Sequence, residues 1–257
     1  MNYLDAIILG IVQGLTEFLP VSSSGHLVLA QEILHVNLPG VAFEIIVHLG
    51  TLLAVLIYYR STFVDLTQSI WTPSRREDRK TVLYLILASI PAAVLGLALK
   101  STFEEAFGSP SMTSVFLLVT GVILLASKLF RNSTRPVGLK AAIVMGCGQA
   151  VAILPGVSRS GSTIVSGMAV GSEPSAVAKF SFLMSVPVIL GATVLELDHL
   201  SEIPAELMSH YAVAFAVSFG TGLLAIHSLL AIVKRGKFSW FAWYCFAVGA
   251  LGLYLFL

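Results

Sequence analysis

Two short stretches of this 257-residue chain concentrate side chains that can carry out nucleophilic and acid–base chemistry. In the first, Gln13 and Glu17 are four residues apart and therefore share one face of a helix. A run of hydroxyl groups and one imidazole follows, made of Ser22, Ser23, Ser24, Gly25 and His26. A hydroxyl nucleophile beside a carboxylate and a titratable ring is what covalent catalysis with proton transfer requires. Serine-rich turns also cap helices, and that structural role is the alternative for the run.

The second stretch combines hydroxyl groups, glycines and one guanidinium. It reads Pro155, Gly156, Val157, Ser158, Arg159, Ser160, Gly161, Ser162 and Thr163. Glycines allow backbone N–H groups to converge on an anion, and a guanidinium holds phosphate oxygens with two parallel hydrogen bonds. A Walker loop would need a Lys followed by Ser or Thr after its last glycine, and this stretch lacks it. The pattern predicts phosphate binding, with an arginine that caps a helix C-terminus as the structural alternative.

The overall composition indicates the class of protein in which these groups lie. The chain is 56% hydrophobic and only 11% charged, against about 25% charged in soluble domains. This excludes a soluble globular enzyme, a disordered protein and a nucleic-acid binder, and it predicts an integral membrane protein. Cys147 and Cys245 have neither metal-site spacing nor a disulfide pattern. Because the N-terminus lacks the basic region of a signal peptide, the whole chain is expected to be mature protein.

Six apolar stretches have the length of about 20 residues that crosses a bilayer. They cover 41–59, 81–99, 112–130, 179–195, 211–233 and 239–257. The connections at 60–80, 128–140 and 234–237 are basic, whereas the loops between them are acidic. The acidic residues are Glu104, Glu105, Glu196, Asp198, Glu202 and Glu206. Because Lys and Arg are retained on the cytoplasmic side, the basic connections are predicted inside and both termini outside.

Two further apolar regions, 6–34 and 141–170, contain the polar stretches and are not ordinary spans. Lipid cannot satisfy broken backbone, which survives at membrane depth only when it is buried in protein or lines a wet cavity. Both regions are therefore predicted to be re-entrant helix–loop–helix segments that return to the side from which they enter. The predicted fold class is all-α: a polytopic membrane protein with six transmembrane helices plus two re-entrant segments.

An internal repeat relates the two polar stretches. A shift of 136 residues places 21–25 on 157–161 and Gln13 on Gln149. The two loops are then related by a pseudo-two-fold axis and should meet near the membrane interior. One loop provides acid, base and nucleophile, and the other provides anion binding. That division suits phosphoryl transfer, in which the protein mainly positions groups and neutralises charge.

We predict a single integral membrane domain over 1–257, with repeat halves 1–135 and 136–257. Each half holds one re-entrant segment and three spans. Since three is odd, the second half enters the membrane upside down, which makes the fold an inverted-topology repeat. Many transporters have this architecture, so a secondary transporter or flippase for an anionic polyprenyl lipid is the rival function.

Other polar features lie inside the predicted membrane segments, where ionisable groups are functional by default. Glu44 and His48 are four residues apart on a span, and either a mutual hydrogen bond or a pore-facing pair fits that spacing; their role stays open. Gly10 and Gly14 form a close-packing stripe beside the polar face of the first helix.

These motifs resemble the signature segments of the undecaprenyl pyrophosphate phosphatases of bacteria, the bacitracin-resistance family. The resemblance covers essentially the whole chain and rests on Gln13 with Glu17, on 19–26, on 43–44 and on 155–163. It implies dephosphorylation of the C55 isoprenoid pyrophosphate carrier to its monophosphate. This reaction recycles the carrier for peptidoglycan synthesis and confers bacitracin resistance.

In that family the acidic motif, the serine–histidine run and the arginine motif form the active site, usually with a divalent cation. Carried over by position, the resemblance implies catalytic roles for Glu17, Ser23, His26 and Arg159. It implies substrate binding by Gln13, Ser22, Ser24, Gly25, Gly156, Ser158, Ser160, Gly161 and Thr163. The first acidic-motif position is Gln13 here, which weakens any scheme that needs two carboxylates. His48 stands where an amide is expected.

The expected mechanism has Ser23 attack the terminal phosphorus while Glu17 or His26 removes its proton. Direct attack by a water held by Glu17 and His26 is the alternative, and Ser22 is a substitute nucleophile. Mg²⁺ or Ca²⁺ is expected, held mainly by the pyrophosphate with Glu17 as one protein ligand.

The expected partners are the polyprenyl pyrophosphate lipid and the bilayer, without nucleic acid, and a homodimer is left open. The protein is expected in the bacterial cytoplasmic (inner) membrane. Its site is predicted to open toward the periplasm or cell exterior.

Overall fold

The computed structural model describes residues 1–38, 41–99, 109–130, 134–200 and 203–257. Within these ranges the chain forms helices joined by turns, and its extended contact is one isolated bridge between Arg135 and Ser172. The predicted all-α class is confirmed. Four charged residues used to orient the chain lie outside the described residues: Glu104, Glu105, Arg131 and Glu202.

Eleven helices of ten or more residues form in the described part of the chain. They are α1 (Tyr3–Phe18), α2 (Ser23–Ile33), α3 (Ala42–Tyr58), α4 (Arg60–Ser69), α5 (Arg76–Ala98), α6 (Pro110–Ala126), α7 (Leu139–Val151), α8 (Arg159–Ala169), α9 (Pro174–Leu195), α10 (Met208–Lys234) and α11 (Phe241–Phe256).

The six predicted spans correspond to α3, α5, α6, α9, α10 and α11. In the described residues, five of these helices are long and apolar enough to cross a membrane, counting the short 3-10 turns that adjoin α6, α10 and α11. Helix α3 has 17 residues and reaches that length only together with α4, from which it is bent by 78°. The chain is therefore a polytopic membrane protein.

The basic connection at 60–80 is more structured than predicted, since it contains α4. This helix buries Leu66 and Ser69, which is why it folds onto the protein instead of remaining a loop. The turn after α4 is tied back to it, because Arg75 Nη1 donates to Asp65 Oδ1 at 2.6 Å.

The local sequence explains the position and conformation of the loop between α1 and α2. Helix α1 ends at Phe18 because Leu19 precedes Pro20, a position that disfavours helical backbone, and Leu19 is extended. Ser22 then adopts a φ of +70°, and its side chain accepts the N–H of Gly25 to cap α2. The capping alternative for the serine run therefore describes one of its three serines.

The loop between α7 and α8 is built in a similar way. Gly156 has a φ of +98°, in the left-handed region that favours glycine. Ser158 caps α8 by accepting the N–H of Gly161 at 3.0 Å. Both predicted helix–loop–helix segments are therefore present, and their return to the side of entry stays a prediction.

The helices of the two halves match in position along the chain. Under a shift of 136 residues, α2 (Ser23–Ile33) falls on α8 (Arg159–Ala169), and the first residue of α1 falls on the first residue of α7. The last residue of α5 falls likewise on the last residue of α10. The upside-down insertion of the second half stays a prediction.

In each half, the first helix of the helix–loop–helix segment packs against a span of the other half. Helix α1 packs on α10, where a Cβ at Gly10 would approach Ala214 O to 2.8 Å and a Cβ at Gly14 would overlap Thr221 Oγ1. Helix α7 packs on α5, where a Cβ at Gly146 would lie 2.6 Å from a backbone oxygen of α5. The predicted close-packing stripe of Gly10 and Gly14 is confirmed.

The buried apolar side chains form two separate cores. The larger core reaches the basic connections and includes Phe18, Tyr59, Phe182, Val233 and Phe238. The smaller core lies toward the N-terminal ends of α1 and α3 and includes Ala6, Leu9, Leu27, Phe43 and Tyr211. Both cores include residues next to the first polar stretch, Phe18 and Val21 in the larger core and Leu27 in the smaller one, so their packing helps to position the loop between α1 and α2.

Candidate active site

The two helix–loop–helix segments, α1–α2 and α7–α8, meet at their loops. The N–H of Gly156 donates to Ser22 Oγ at 3.1 Å, and the Ser160 hydroxyl donates to Leu19 O at 3.1 Å. A Cβ at Gly25 would come within 2.9 Å of Gly156 Cα, so glycine is what allows this approach. The predicted meeting of the two loops is therefore found in the structure.

Glu17 lies at the centre of this junction and is 5% exposed. Its Oε2 accepts the Ser23 hydroxyl at 2.5 Å and Gln13 Nε2 at 3.0 Å, and its Oε1 accepts Arg159 Nη2. A buried carboxylate is tolerated when it is paired and hydrogen-bonded, and Arg159, from the other half, supplies the opposite charge. The structure thus brings four of the predicted site residues together.

A series of polar side chains leads from Glu17 toward the N-terminal end of α3. His48 Nε2 lies 3.5 Å from Glu17 Oε2, and His48 Nδ1 lies 2.6 Å from the carbonyl oxygen of Glu44. Gln31 Nε2 donates to Glu44 Oε1 at 2.9 Å. The side chain of His48 is 27% exposed. Glu44 and His48, whose role the sequence leaves open, therefore line one approach to Glu17.

His26 lies in the wall of the site, with both ring nitrogens engaged. Its Nδ1 lies 2.8 Å from Ser22 O and its Nε2 lies 2.9 Å from the Tyr244 hydroxyl. A carbonyl only accepts, which assigns the proton to Nδ1 and leaves Nε2 to accept from the tyrosine. The hydroxyl of Ser23 therefore contacts Glu17, whereas the ring of His26 contacts Tyr244 of α11.

Tyr244 is a site residue for which the sequence carries no signal. It lies in an apolar helix beside tryptophans that mark an interface, and only the fold brings it to His26, with the two rings stacked 5.5 Å apart.

The first turns of α2 and α8 place backbone donors at the junction. The amides of Gly25 and Gly161 donate to the capping hydroxyls of Ser22 and Ser158, at 3.3 and 3.0 Å. Among the described residues, four other amides at these two helix N-termini have no acceptor: those of Ser23, Ser24, Arg159 and Ser160. Two helix N-termini with free N–H groups form a site for phosphate oxygens.

Thr120 of α6 holds the arginine loop in place. Its hydroxyl donates to Gly156 O at 2.7 Å and accepts the N–H of Ser158 at 2.9 Å. The loop also packs tightly against α6, since a Cβ at Gly156 would lie 2.3 Å from Thr113 O. A lone threonine in an apolar span gives no sequence signal for this role.

Thr163 differs from the other predicted binding residues in its surroundings. It is fully buried, and its hydroxyl contacts Arg159 O at 2.8 Å and Ser181 Oγ at 2.6 Å. These contacts support the helix that carries Arg159, whereas Ser22, Ser158 and Ser160 lie at the junction itself.

The sequence matches the family described as bacitracin resistance protein BacA over residues 6–251. The chain belongs to this family. It is 38% identical to the undecaprenyl-diphosphatase of Salinibacter ruber, over 99% of this chain and all of the relative. It is 41% identical to the undecaprenyl-diphosphatase of Korarchaeum cryptofilum and 40% identical to that of Syntrophotalea carbinolica, with 97% and 98% of each chain covered.

The resemblance to this family implies a divalent cation, but this arrangement offers few protein atoms as ligands for it. Both oxygens of Glu17 accept hydrogen bonds from protein donors. Among the described residues, no cluster of three or more His, Cys, Asp or Glu side chains has the arrangement of a metal site. The site therefore does not fit a resident metal held by the protein alone.

Proposed function

We propose that this chain is a membrane phosphatase that hydrolyses undecaprenyl pyrophosphate to undecaprenyl phosphate and inorganic phosphate. The observation that carries the proposal is the contact of a hydroxyl, a buried carboxylate and a guanidinium at the junction of two helix N-termini. Family membership supports the same reaction. The product would return to peptidoglycan synthesis, and its recycling would confer bacitracin resistance.

In the proposed mechanism Ser23 Oγ attacks the terminal phosphorus of the pyrophosphate. Glu17 Oε2, at 2.5 Å, accepts the serine proton as the bond between oxygen and phosphorus forms. The bond from the terminal phosphorus to the bridging oxygen breaks, and undecaprenyl phosphate leaves with the electron pair. Water then attacks the phosphoserine, inorganic phosphate departs, and Ser23 regains its proton.

Arg159 and the free amides of α2 and α8 hold the charge of the transferring group. A guanidinium has five N–H donors, so it can contact Glu17 and phosphate oxygens at once. Ser22 fits a positioning role better than that of a nucleophile, because its hydroxyl accepts the N–H groups of Gly25 and Gly156 and it is 3% exposed. Direct attack by water held near Glu17 is the alternative first step.

We propose that Mg²⁺ or Ca²⁺ enters with the pyrophosphate and is held mainly by its oxygens, since the protein offers few free ligands. Its chemistry would be the neutralisation of phosphate charge. Ligation by Glu17 would require the carboxylate to give up one of its present donors.

We propose that the protein lies in the bacterial cytoplasmic membrane, with the site open toward the periplasm or cell exterior. The distribution of charged connections supports this orientation. Packing supports it too, because the rings of Phe18, Phe182 and Tyr59 lie together between the position of Glu17 and the C-terminal end of α3. The Phe18–Phe182 pair is edge-to-face at 5.4 Å, and the Tyr59–Phe182 pair is tilted at 6.4 Å. Polar and partly exposed groups lie on the opposite side of Glu17.

The catalytic groups of this proposal all come from one chain, so a homodimer would not be needed for chemistry. The isoprenoid tail would lie in lipid between spans. A homodimer, which stays open, would use other surfaces of the chain. Measurement of the oligomeric state in detergent tests whether it forms.

The test uses purified protein in detergent with undecaprenyl pyrophosphate and a divalent cation. The expected result is the release of inorganic phosphate together with an equal amount of undecaprenyl phosphate. Binding of the lipid without release would contradict the proposal and favour a transporter or flippase.

A further inference from the structure

A cavity lies at the basic end of α10, at the edge of the larger apolar core. Its volume is about 270 Å³. It is bounded by the end of α6, the start of α9, the end of α10 and the turn into α11. Its polar lining consists of Ser127, Glu173, Ser175, Lys234 and Ser239, with Phe238 among the apolar residues.

One hydroxyl in this cavity lacks a partner. Ser239 is 2% exposed, and its Oγ has no hydrogen bond to any described residue. A buried hydroxyl without a partner is unfavourable, so this atom is available to hydrogen-bond a group that enters the cavity. Ser127 differs, since its hydroxyl donates to Leu124 O at 2.6 Å.

The charge around the cavity favours an anion. Lys234 lines it, and Arg235 and Lys237 follow in the same turn. The acidic group of the lining, Glu173, already accepts the N–H groups of Ser175 and Ala176 at the start of α9, at 3.2 and 3.1 Å. Its charge is therefore compensated by the helix N-terminus, and the basic groups dominate.

The residues beside the cavity are typical of the membrane interface. Trp240, next to Ser239, is 64% exposed, and Lys237 Nζ lies 4.8 Å above its ring. Exposed tryptophans with basic residues at the end of a span mark the membrane interface. Basic pockets between transmembrane helices at this level bind phosphate-bearing lipid head groups.

We propose that this cavity binds the phosphate head group of an anionic phospholipid from the leaflet at the basic ends, with Lys234 and Ser239 contacting the phosphate. The apolar part of the lining, including Val233 and Phe238, accommodates the glycerol region. A bound lipid would tie the turn between α10 and α11 to the start of α9. Inorganic phosphate shares the chemistry, but it would leave the apolar lining uncovered.

The experiment is native mass spectrometry of the purified, delipidated full chain titrated with phosphatidylglycerol or phosphatidylcholine. Phosphatidylglycerol is expected to bind more tightly, and Lys234→Gln is expected to weaken its binding about fivefold, as the loss of one interfacial cation predicts. Ser239→Val removes a hydroxyl that contacts the phosphate and should lower the occupancy of phosphatidylglycerol. Lys140→Gln, which removes an exposed cation outside the cavity, is the matched control and should behave as wild type.

Several results would overturn the proposal. Equal binding of both lipids, or equal weakening by Lys140→Gln and Lys234→Gln, would show that the cavity does not select the head group. Displacement of phosphatidylglycerol by equimolar inorganic phosphate would assign the site to free phosphate. Lys234 is exposed, so its variant should fold even if Ser239→Val does not.

Discussion

The carboxylate of Glu17 contacts two different groups: a guanidinium, which its negative charge stabilises, and a hydroxyl, whose proton it would accept. Oε1 contacts Arg159, whereas Oε2 accepts the hydroxyl of Ser23, which in the proposed mechanism loses its proton to attack phosphorus. An arriving pyrophosphate would draw the guanidinium toward its own oxygens and leave the carboxylate more able to accept a proton. The proposed mechanism therefore couples substrate binding and activation of the nucleophile through Glu17.

Replacement of Glu17 by Gln removes the base while keeping the shape of the side chain. We expect Glu17→Gln to lower kcat by about 10²- to 10⁴-fold, the usual contribution of a general base. KM should change little, because Arg159 remains available to the substrate. Steady-state phosphate release measures both, with Glu32→Gln, at an exposed position of α2, as the control. Unchanged kcat in Glu17→Gln would remove this residue from the mechanism.

The contact between Tyr244 and His26 can be tested in the same way. Tyr244→Phe removes one hydrogen bond and should lower activity about fivefold, the equivalent of roughly 1 kcal/mol. Tyr254→Phe on the same helix, where the side chain is 84% exposed, should leave activity unchanged. An equal effect of both variants would show that the tyrosine hydroxyl does not act through His26.

At the scale of elements, α6 supports the arginine loop through Thr120. Thr120→Val leaves Gly156 O and the N–H of Ser158 without their partner, each at a cost of about 1–3 kcal/mol. We expect a lower melting temperature and activity reduced at least tenfold. Thr113→Val is the matched control, since Thr113 lies in the same helix, is equally buried and has an unpartnered hydroxyl. If Thr113→Val is the more damaging variant, this account of the loop fails.

Sequence alone predicts the elements that carry strong local signals. Pro20, the serines and the glycines interrupt otherwise apolar helices, so both loops are predictable, and the 136-residue repeat predicts that they meet. Helix α4 is missed because its polar composition resembles a loop and only Leu66 and Ser69, buried in the fold, reveal it. Thr120 and Tyr244 are missed because their roles depend on distant partners, 36 and 218 residues away along the chain.

At the scale of the whole molecule, the proposed opening of the site away from the basic connections predicts the side of the membrane from which it can be reached. The aromatic cluster of Phe18, Phe182 and Tyr59 lies in the larger core, which also includes Val233 and Phe238 next to a basic connection. A cysteine at Ser24, in a Cys147→Ala, Cys245→Ala background, should react with a membrane-impermeant thiol reagent added to intact cells. Substrate should protect it. Labelling that requires cell lysis would place the open site in the cytoplasm.

The most direct test of the central claim compares two neighbouring serines in phosphate release from undecaprenyl pyrophosphate. The hydroxyl of Ser23 contacts Glu17, whereas that of Ser24 lies 3.4 Å from Ser22 Oγ. Ser23→Ala should lower kcat on the order of a thousandfold or more, as expected when a nucleophile is removed. Ser24→Ala should retain activity within about tenfold of wild type, since it loses one polar contact. Near-wild-type activity of Ser23→Ala would contradict the covalent mechanism.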